Sequence, residues 1–245
     1  MKTIQPLYRN AYIGERVNEV RDLTGGTWTD EKITIPQRDT GAQYGTKALV
    51  IGNGESRRKF NLEAIKHHKN GVPALGALQT YGCNALHRDF TPNFLVVTRP
   101  EVLEEVLAKK YTAPNIVYSN RNWVDANPAQ LYHIPQDPCW NSGAMAAYMA
   151  CFDGHAKVYL VGFDGVDTPT HSYNLYQDTN GYPELKDGYN EAFYVKTMLQ
   201  VFATYPDVDF VRVKPTDSFR LPEEWKWVPN LRQIDFNQFV NEVDL

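Results

Sequence analysis

From residue 47 onward, short apolar runs alternate with segments of helical pattern. The apolar runs are KALVIG (47–52), ALGALQTY (74–81), NFLVVT (93–98), NIVYS (115–119), KVYLVG (157–162) and DFVRV (209–213). Helical patterns lie at about 56–69, 100–110, 141–153 and 187–204. This alternation is typical of βαβ units, whose parallel strands are covered by helices on both faces. The sequence therefore predicts an α/β, Rossmann-like fold with a mostly parallel sheet.

The first 45 residues break this rhythm. They are polar and rich in turn residues, with LTGGTWTDEKITIP (23–36) at their centre. Such a segment predicts a short hairpin or an extended arm. We therefore expect an arm over residues 1–45 that is not part of the usual fold, and a Rossmann-like domain over 46–245. The tail from Leu221 carries two tryptophans and a short amphipathic pattern that we expect to pack on the same core.

Charge and hydropathy exclude several classes of protein. The formal net charge of −4 argues against general nucleic-acid binding, which needs an excess of Lys and Arg. No run approaches the roughly 20 apolar residues that span a bilayer, and MKTIQPLYRN lacks the apolar core of a signal peptide. We therefore expect no nucleic-acid partner, no transmembrane segment and a cytoplasmic location.

The three cysteines are Cys83, Cys139 and Cys151. Their number is odd and they show no C-x-x-C spacing, so neither a disulfide framework nor a zinc site is indicated. We expect buried free thiols.

The first predicted strand ends in ALVIGNGES (48–56), where two glycines allow a turn that larger residues would block. In an open parallel sheet, the turn after this strand usually meets a phosphate or nucleotide. Gly52, Asn53 and Gly54 occupy that place, and Ser56 either caps the following helix or donates to a ligand oxygen. Arg57 stands where the dinucleotide fingerprint needs its third glycine, and no P-loop is present. An ordinary tight turn remains the alternative.

Two further polar positions follow the next strands. Asn84 comes at the end of an apolar run, and Thr98 and Arg99 close the strand after it. Polar residues at successive strand ends face the same crevice in this fold, so they are candidates for one pocket with Asn53. For Arg99, a solvated position before Pro100 is the alternative.

A third stretch is CWNSGAMAAYMACFDGHAKVYLVGFDG (139–165). Ser142 and Gly143 open a helix of small and apolar residues, and the free N–H groups there favour an anion. Asp164 follows the next strand, where it is a candidate to bind a hydroxyl or a metal, or to cap the local turn.

The order of these motifs resembles a known family. G-N-G-x-S after the first strand, C-N after the second, S-G at a helix start and YLVGFD before a tyrosine-rich loop are together similar to family 42 bacterial sialyltransferases and to related proteins near flagellin-glycosylation genes. The similarity covers about residues 47–213. It implies a glycosyltransferase-A-like fold and a cytidine-monophosphate (CMP) sugar as the donor substrate.

The resemblance also implies roles for individual residues. Asn53 and Asn84 would bind the cytidine nucleotide, and Ser142 and Gly143 its phosphate or ribose. Tyrosines of the family's loop hold the donor phosphate without a metal, and Tyr173 and Tyr176 match them, with phenolic donors that stabilise the leaving phosphate. We therefore expect no metal and no cofactor.

The chain departs from the family at the catalytic histidine, because no histidine lies between 172 and 245. His171 is the nearest replacement as general base, and His87, beside Asn84, is the reserve. His155 and the pair at 67–68 are expected at the surface. The family's arginine before S-G is also missing, since Trp140 stands nearby instead.

Three functions remain open. The first is a metal-independent transferase that moves a sugar, such as sialic acid, from a nucleotide-activated donor to a glycan or small-molecule hydroxyl. The second is a pterin pyrophosphokinase, with Mg²⁺ carried by Asp164 and Asp167. The third is a non-enzymatic nucleotide-binding or assembly protein. A homo-oligomer is compatible with each.

Overall fold

The computed structural model describes residues 2–10, 15–22, 27–34, 47–65, 78–127, 130–135, 137–164, 174–182 and 191–243. The predicted site residues His171 and Tyr173, and Asp167 of the magnesium alternative, lie outside these ranges.

The main sheet has eight strands, all parallel, in the order β11-β10-β9-β4-β5-β6-β7-β8. Its strands are β4 (Lys47–Ile51), β5 (Gln79–Cys83), β6 (Phe94–Val96), β7 (Ile116–Ser119), β8 (Tyr132–His133), β9 (Lys157–Val161), β10 (Asp209–Lys214) and β11 (Leu231–Asp235). The predicted α/β, Rossmann-like architecture is confirmed.

Five α-helices lie wholly within the described ranges: α1 (Pro100–Ala108), α2 (Arg121–Ala126), α3 (Ser142–Phe152), α4 (Glu191–Thr204) and α5 (Phe236–Val243). Short 3₁₀ segments lie at Glu55–Lys59, Asn84–Arg88 and Glu223–Trp225. No helix of the described chain is both long enough and apolar enough to cross a membrane.

The N-terminal segment forms its own antiparallel sheet, with strands β1 (Lys2–Asn10), β2 (Glu15–Asp22) and β3 (Thr27–Thr34). The sequence predicted a hairpin or an arm here, and the structure adds a third strand. The backbone of β1 lies close to β8 and α2, at one edge of the main sheet.

The core lies on both faces of the main sheet because alternate strand residues point to opposite sides. In β4, Val50 belongs to the cluster that includes α3 and α4, whereas Leu49 and Ile51 belong to the cluster that includes α1 and α5. Helix α3 is buried at every residue from Ala144 to Cys151, because it packs on β4, β5 and β6 and is covered by α4.

Several elements differ from the sequence prediction. Instead of a continuous helix over 56–69, the chain forms a 3₁₀ turn at Glu55–Lys59 and becomes helical at 62–65. The structure also adds β8 and β11 at the two edges of the sheet. Both lack the buried apolar run that marked the inner strands, since edge strands are partly exposed.

Two smaller expectations were wrong. His155 is 1% exposed rather than at the surface: its ring lies 2.8 Å from the Gln79 side chain and against the Tyr81 hydroxyl, which donates to Asp153. All three cysteines are free, but Cys139 is exposed while Cys83 and Cys151 are buried.

Candidate functional site

The strand order places a topological switch point beside β4. After β4 the chain adds β5, β6, β7 and β8 on one side, and it then returns to add β9 on the other. The chain that leaves β4 therefore runs toward one edge of the sheet, and the chain that leaves β9 runs toward the other. Ligands of open α/β sheets bind outside the carboxyl ends of the strands at such a point.

The glycine turns after β4 and β9 interlock. Gly52 N–H donates to the Val161 carbonyl at 2.8 Å, and Gly54 N–H donates to the Gly162 carbonyl at 3.0 Å. A Cβ at Gly52 would lie 2.5 Å from the Gly162 oxygen, and Gly162 itself has φ of +74°. The close approach that these glycines permit is therefore between the two turns of this chain.

Asp164 fastens the same two turns together. Its Oδ2 accepts from the Ser56 N–H at 2.8 Å, and its Oδ1 lies 3.9 Å from a guanidinium nitrogen of Arg212. Burial raises the pKa of Asp164, while the Ser56 hydrogen bond and the Arg212 charge oppose that rise. Asp164 thus caps the turn after β4, the neighbouring strand.

Asn84 connects two strand ends with the start of α3. Its Oδ1 accepts from Thr98 N–H at 3.1 Å, and its Nδ2 donates to the Ser142 hydroxyl at 2.5 Å. Asn84 itself has φ of +45°, a conformation that asparagine tolerates better than most residues. The predicted pocket residues after β5 and β6 are therefore in direct contact.

Two buried polar groups of the β4 turn are unsatisfied. Asn53 donates from Nδ2 to the Cys83 carbonyl at 3.1 Å, but its buried Oδ1 has no hydrogen-bond partner among the described residues. The same holds for one terminal nitrogen of Arg57, whose side chain is 3% exposed. Unpaired buried groups are costly and call for an explanation, such as a water or a ligand.

The start of α3 offers backbone donors. Asn141 is its N-cap and accepts from Ala144 N–H at 3.0 Å. The N–H groups of Ser142 and Gly143 have no acceptor within the helix, and both residues are partly exposed. An anion placed there would be stabilised by these donors and by the helix dipole.

Tyr176 is held inside the protein. Its hydroxyl donates to the Asp89 carboxylate at 2.6 Å and accepts from Arg57 at 2.9 Å. The residue is 6% exposed, and burial raises the pKa of its hydroxyl. In this conformation the O–H group donates to Asp89 and is not available to a phosphate, and its role at a donor phosphate stays a prediction.

Residues 174–182 cover the ends of β5 and β6 and are fastened by arginines. Arg88 donates to the Thr179 hydroxyl at 2.7 Å and to the Asn180 carbonyl at 3.0 Å. Arg99 donates to the Gly181 carbonyl and lies 4.7 Å from the ring centre of Tyr182. Arg99 is thus engaged with this segment rather than simply solvated.

His87, the reserve base, has both ring nitrogens engaged. Nδ1 lies 3.1 Å from the Asn84 carbonyl and Nε2 lies 3.2 Å from Glu105, and the side chain is 2% exposed. The hydrogen bonds from Arg88 lower the pKa of Glu105 to about 2, which keeps this carboxylate charged. His87 therefore positions the Asn84–Arg88 turn in this conformation.

The structure brings together all the predicted site residues that it describes. Gly52, Asn53, Gly54, Ser56, Asn84, Ser142, Gly143, Tyr176 and Asp164 lie at the carboxyl edge of the sheet, around β4, β5 and β9. No group of three or more His, Cys, Asp or Glu side chains within the described ranges is arranged to hold a metal.

Sequence reasoning missed the structural part that Arg57 and Asp89 play. Arg57 entered only as the residue that spoils the dinucleotide fingerprint, yet it is buried and ion-paired with Asp89 at 3.1 Å. No local pattern marks a buried arginine whose partners lie 32 and 119 residues away.

Chemically, this edge combines backbone donors for an anion, an unpaired amide oxygen and a covering segment rich in hydroxyl groups. Comparisons of the chain with protein-family models, with curated proteins and with solved structures found no match in any of the three.

Proposed function

We propose that the protein is a metal-independent glycosyltransferase that takes a nucleotide-activated sugar, with CMP as the expected nucleotide. The nucleotide would lie at the carboxyl ends of β4 and β5, against the start of α3. The observation that carries this proposal is the direct contact of Asn84 with Ser142, at 2.5 Å, which sets anion-binding backbone donors beside the switch point of the sheet.

The polar groups suit the parts of a nucleotide. The free N–H groups of Ser142 and Gly143 fit a phosphate, which is the anion that helix starts most often bind in this class of fold. The unpaired Oδ1 of Asn53 needs a donor, and the amino group of a cytosine supplies one.

The reaction would be a single displacement. The acceptor hydroxyl attacks the anomeric carbon, the bond from that carbon to the nucleotide phosphate breaks, and the configuration inverts. A general base, a role that we assign to His171, takes the proton of the acceptor hydroxyl. The nucleotide phosphate leaves with the negative charge of the broken bond. We assign to Tyr173 and Tyr176 the role of donating hydrogen bonds to the leaving phosphate. For this, the Tyr176 hydroxyl must give up its hydrogen bond to Asp89 and donate to the phosphate instead.

The test is a thermal-shift screen over CMP, UDP, GDP, ADP and their sugars, because a ligand that binds only the folded protein raises its melting temperature. We expect the largest rise with CMP or a CMP-sugar. Asn53→Ala should lower that affinity by about 5- to 150-fold, the effect of one lost buried hydrogen bond. Asn93→Ala is the control. Asn93 directly precedes β6 and accepts hydrogen bonds from Thr80, at the end of the strands that lies away from the crevice.

Activity then separates the three functions. Transfer from a CMP-sugar that survives EDTA supports the proposal, whereas activity on a pterin that EDTA abolishes favours the pyrophosphokinase. Clear nucleotide binding with no transfer or hydrolysis favours the non-enzymatic protein. If no nucleotide changes the melting temperature, the assignment of the crevice is wrong.

A further inference from the structure

A concave site is lined by residues at and after the end of β10 and by Gln233 of β11. It is a cavity of about 310 Å³, which is at the small end of the range for small-molecule sites. Its charged and polar lining residues are Lys214, Asp217, Arg220, Glu223, Lys226 and Gln233. None of them has a part in the proposed crevice.

The lining carries three cations and two carboxylates. Asp217 pairs with Lys214 at 2.6 Å and Glu223 pairs with Lys226, but these carboxylates are 97% and 73% exposed. Exposed pairs of this kind contribute about 0 to 1 kcal/mol, so an incoming anion can replace them at little cost. Arg220 has no ion-pair partner within the described chain.

One wall of the cavity is hydrogen-bonded to a buried arginine. Arg212, 2% exposed, donates to the Gln233 side chain and to the Phe219 carbonyl at 3.1 Å. It also donates from Nε to the Phe163 carbonyl at 2.8 Å and faces Asp164. A single guanidinium therefore holds the cavity wall and the turn after β9 in place.

We propose that this cavity binds the carboxylate or phosphate group of a small molecule, at a site separate from the crevice. Lys214, Arg220 and Lys226 supply the charge, and Gln233, which accepts a hydrogen bond from Arg212, supplies a neutral polar group. The volume exceeds what one such group fills, so the remainder of the ligand also lies within the cavity.

The test is isothermal titration with inorganic phosphate in one arm and citrate in the other, at an ionic strength held constant with sodium chloride. We expect saturable binding with one site per chain in at least one arm, and the stronger arm identifies the anionic group. Arg220→Gln and Lys214→Gln should each weaken binding about tenfold, the effect of one charged contact. Arg121→Gln, on α2 near the opposite edge of the sheet, is the matched control.

Asp217→Asn gives a result that a merely structural role would not. It removes the anion that competes for Lys214, so binding should strengthen by up to about fivefold. Asp217 and Arg220 are exposed and Lys214 and Arg121 are partly exposed. Unchanged melting temperatures would show that the variants fold.

Amide chemical shifts of the ¹⁵N-labelled protein locate the anion. Shifts within residues 214–226 support the proposal. Shifts at Ser142 and Gly143 instead would place the anion in the crevice and overturn it. Equal weakening by Arg121→Gln, or no saturable binding in either arm, would overturn it as well.

Discussion

The interlocked turns after β4 and β9 predict that Gly162 cannot carry a side chain. Gly162→Ala places a methyl group 2.7 Å from the Gly52 oxygen and 2.9 Å from its carbonyl carbon, both of which are backbone atoms. The residue must also keep φ near +74°, which costs an L-residue about 1 to 2 kcal/mol. Overpacking against atoms that cannot turn away adds about 1 to 3 kcal/mol. We therefore expect a loss of about 2 to 5 kcal/mol in the free energy of unfolding.

Gly181→Ala is the matched control because Gly181 has a similar φ of +79°. Its added methyl would meet side-chain rather than backbone atoms, with Val102 Cγ2 at 2.9 Å and Arg99 Cδ at 3.2 Å. The control should therefore lose the backbone cost of about 1 to 2 kcal/mol and less through overpacking than Gly162→Ala does. Guanidinium unfolding followed by circular dichroism and by tryptophan fluorescence gives both values. Equal losses in the two variants would refute the reasoning, since the backbone angle alone would then explain them.

Three further predictions concern charged and hydroxyl groups. Tyr176→Phe leaves the buried Arg57 without one acceptor, so chemical unfolding should show a loss of about 1 to 3 kcal/mol. Glu105→Gln should lower stability at neutral pH. Since the pKa of Glu105 falls from 4.5 to about 2 on folding, the difference from the parent should shrink as pH drops through that window, and an unchanged difference at pH 2 would contradict this. Arg212→Met removes the positive charge beside the buried Asp164 carboxylate and should lower the free energy of unfolding by about 3 to 5 kcal/mol. Adding Asp164→Asn should recover part of that loss in a double-mutant cycle, whereas strict additivity would show that the two groups do not interact.

The sequence predicted the inner sheet well because its strands are buried on both faces. Ala48–Ile51 and Val158–Val161 are continuous apolar runs, and each ends in a glycine turn, so both the strands and the edge where they end could be located. The edge strand β11 reads LRQID, in which only Ile234 is buried, and no apolar run marks it.

The candidate site was predictable in position but not in detail. Asn84 was expected at one crevice with Asn53, Thr98 and Arg99 because parallel strands end at the same edge, whereas Ser142 was placed at the same nucleotide only by the family resemblance. The direct hydrogen bond between Asn84 and Ser142 depends on how α3 crosses β5, which no local pattern encodes. In the same way, the burial of Arg57 depends on Asp89 and on Tyr176, which lies 119 residues away.

The proposed phosphate site at the start of α3 is tested most directly by Ser142→Asp. A carboxylate in the first turn of a helix favours the helix itself, so the variant should remain folded, but it would repel a phosphate bound there. The measurement is the ratio of the dissociation constants of cytidine and CMP, by isothermal titration of the parent and the variant. We predict that CMP binds the parent at least about tenfold more tightly than cytidine, and that the variant loses this preference while its affinity for cytidine changes little. A preference for CMP that persists in Ser142→Asp, or its absence in the parent, would contradict the account.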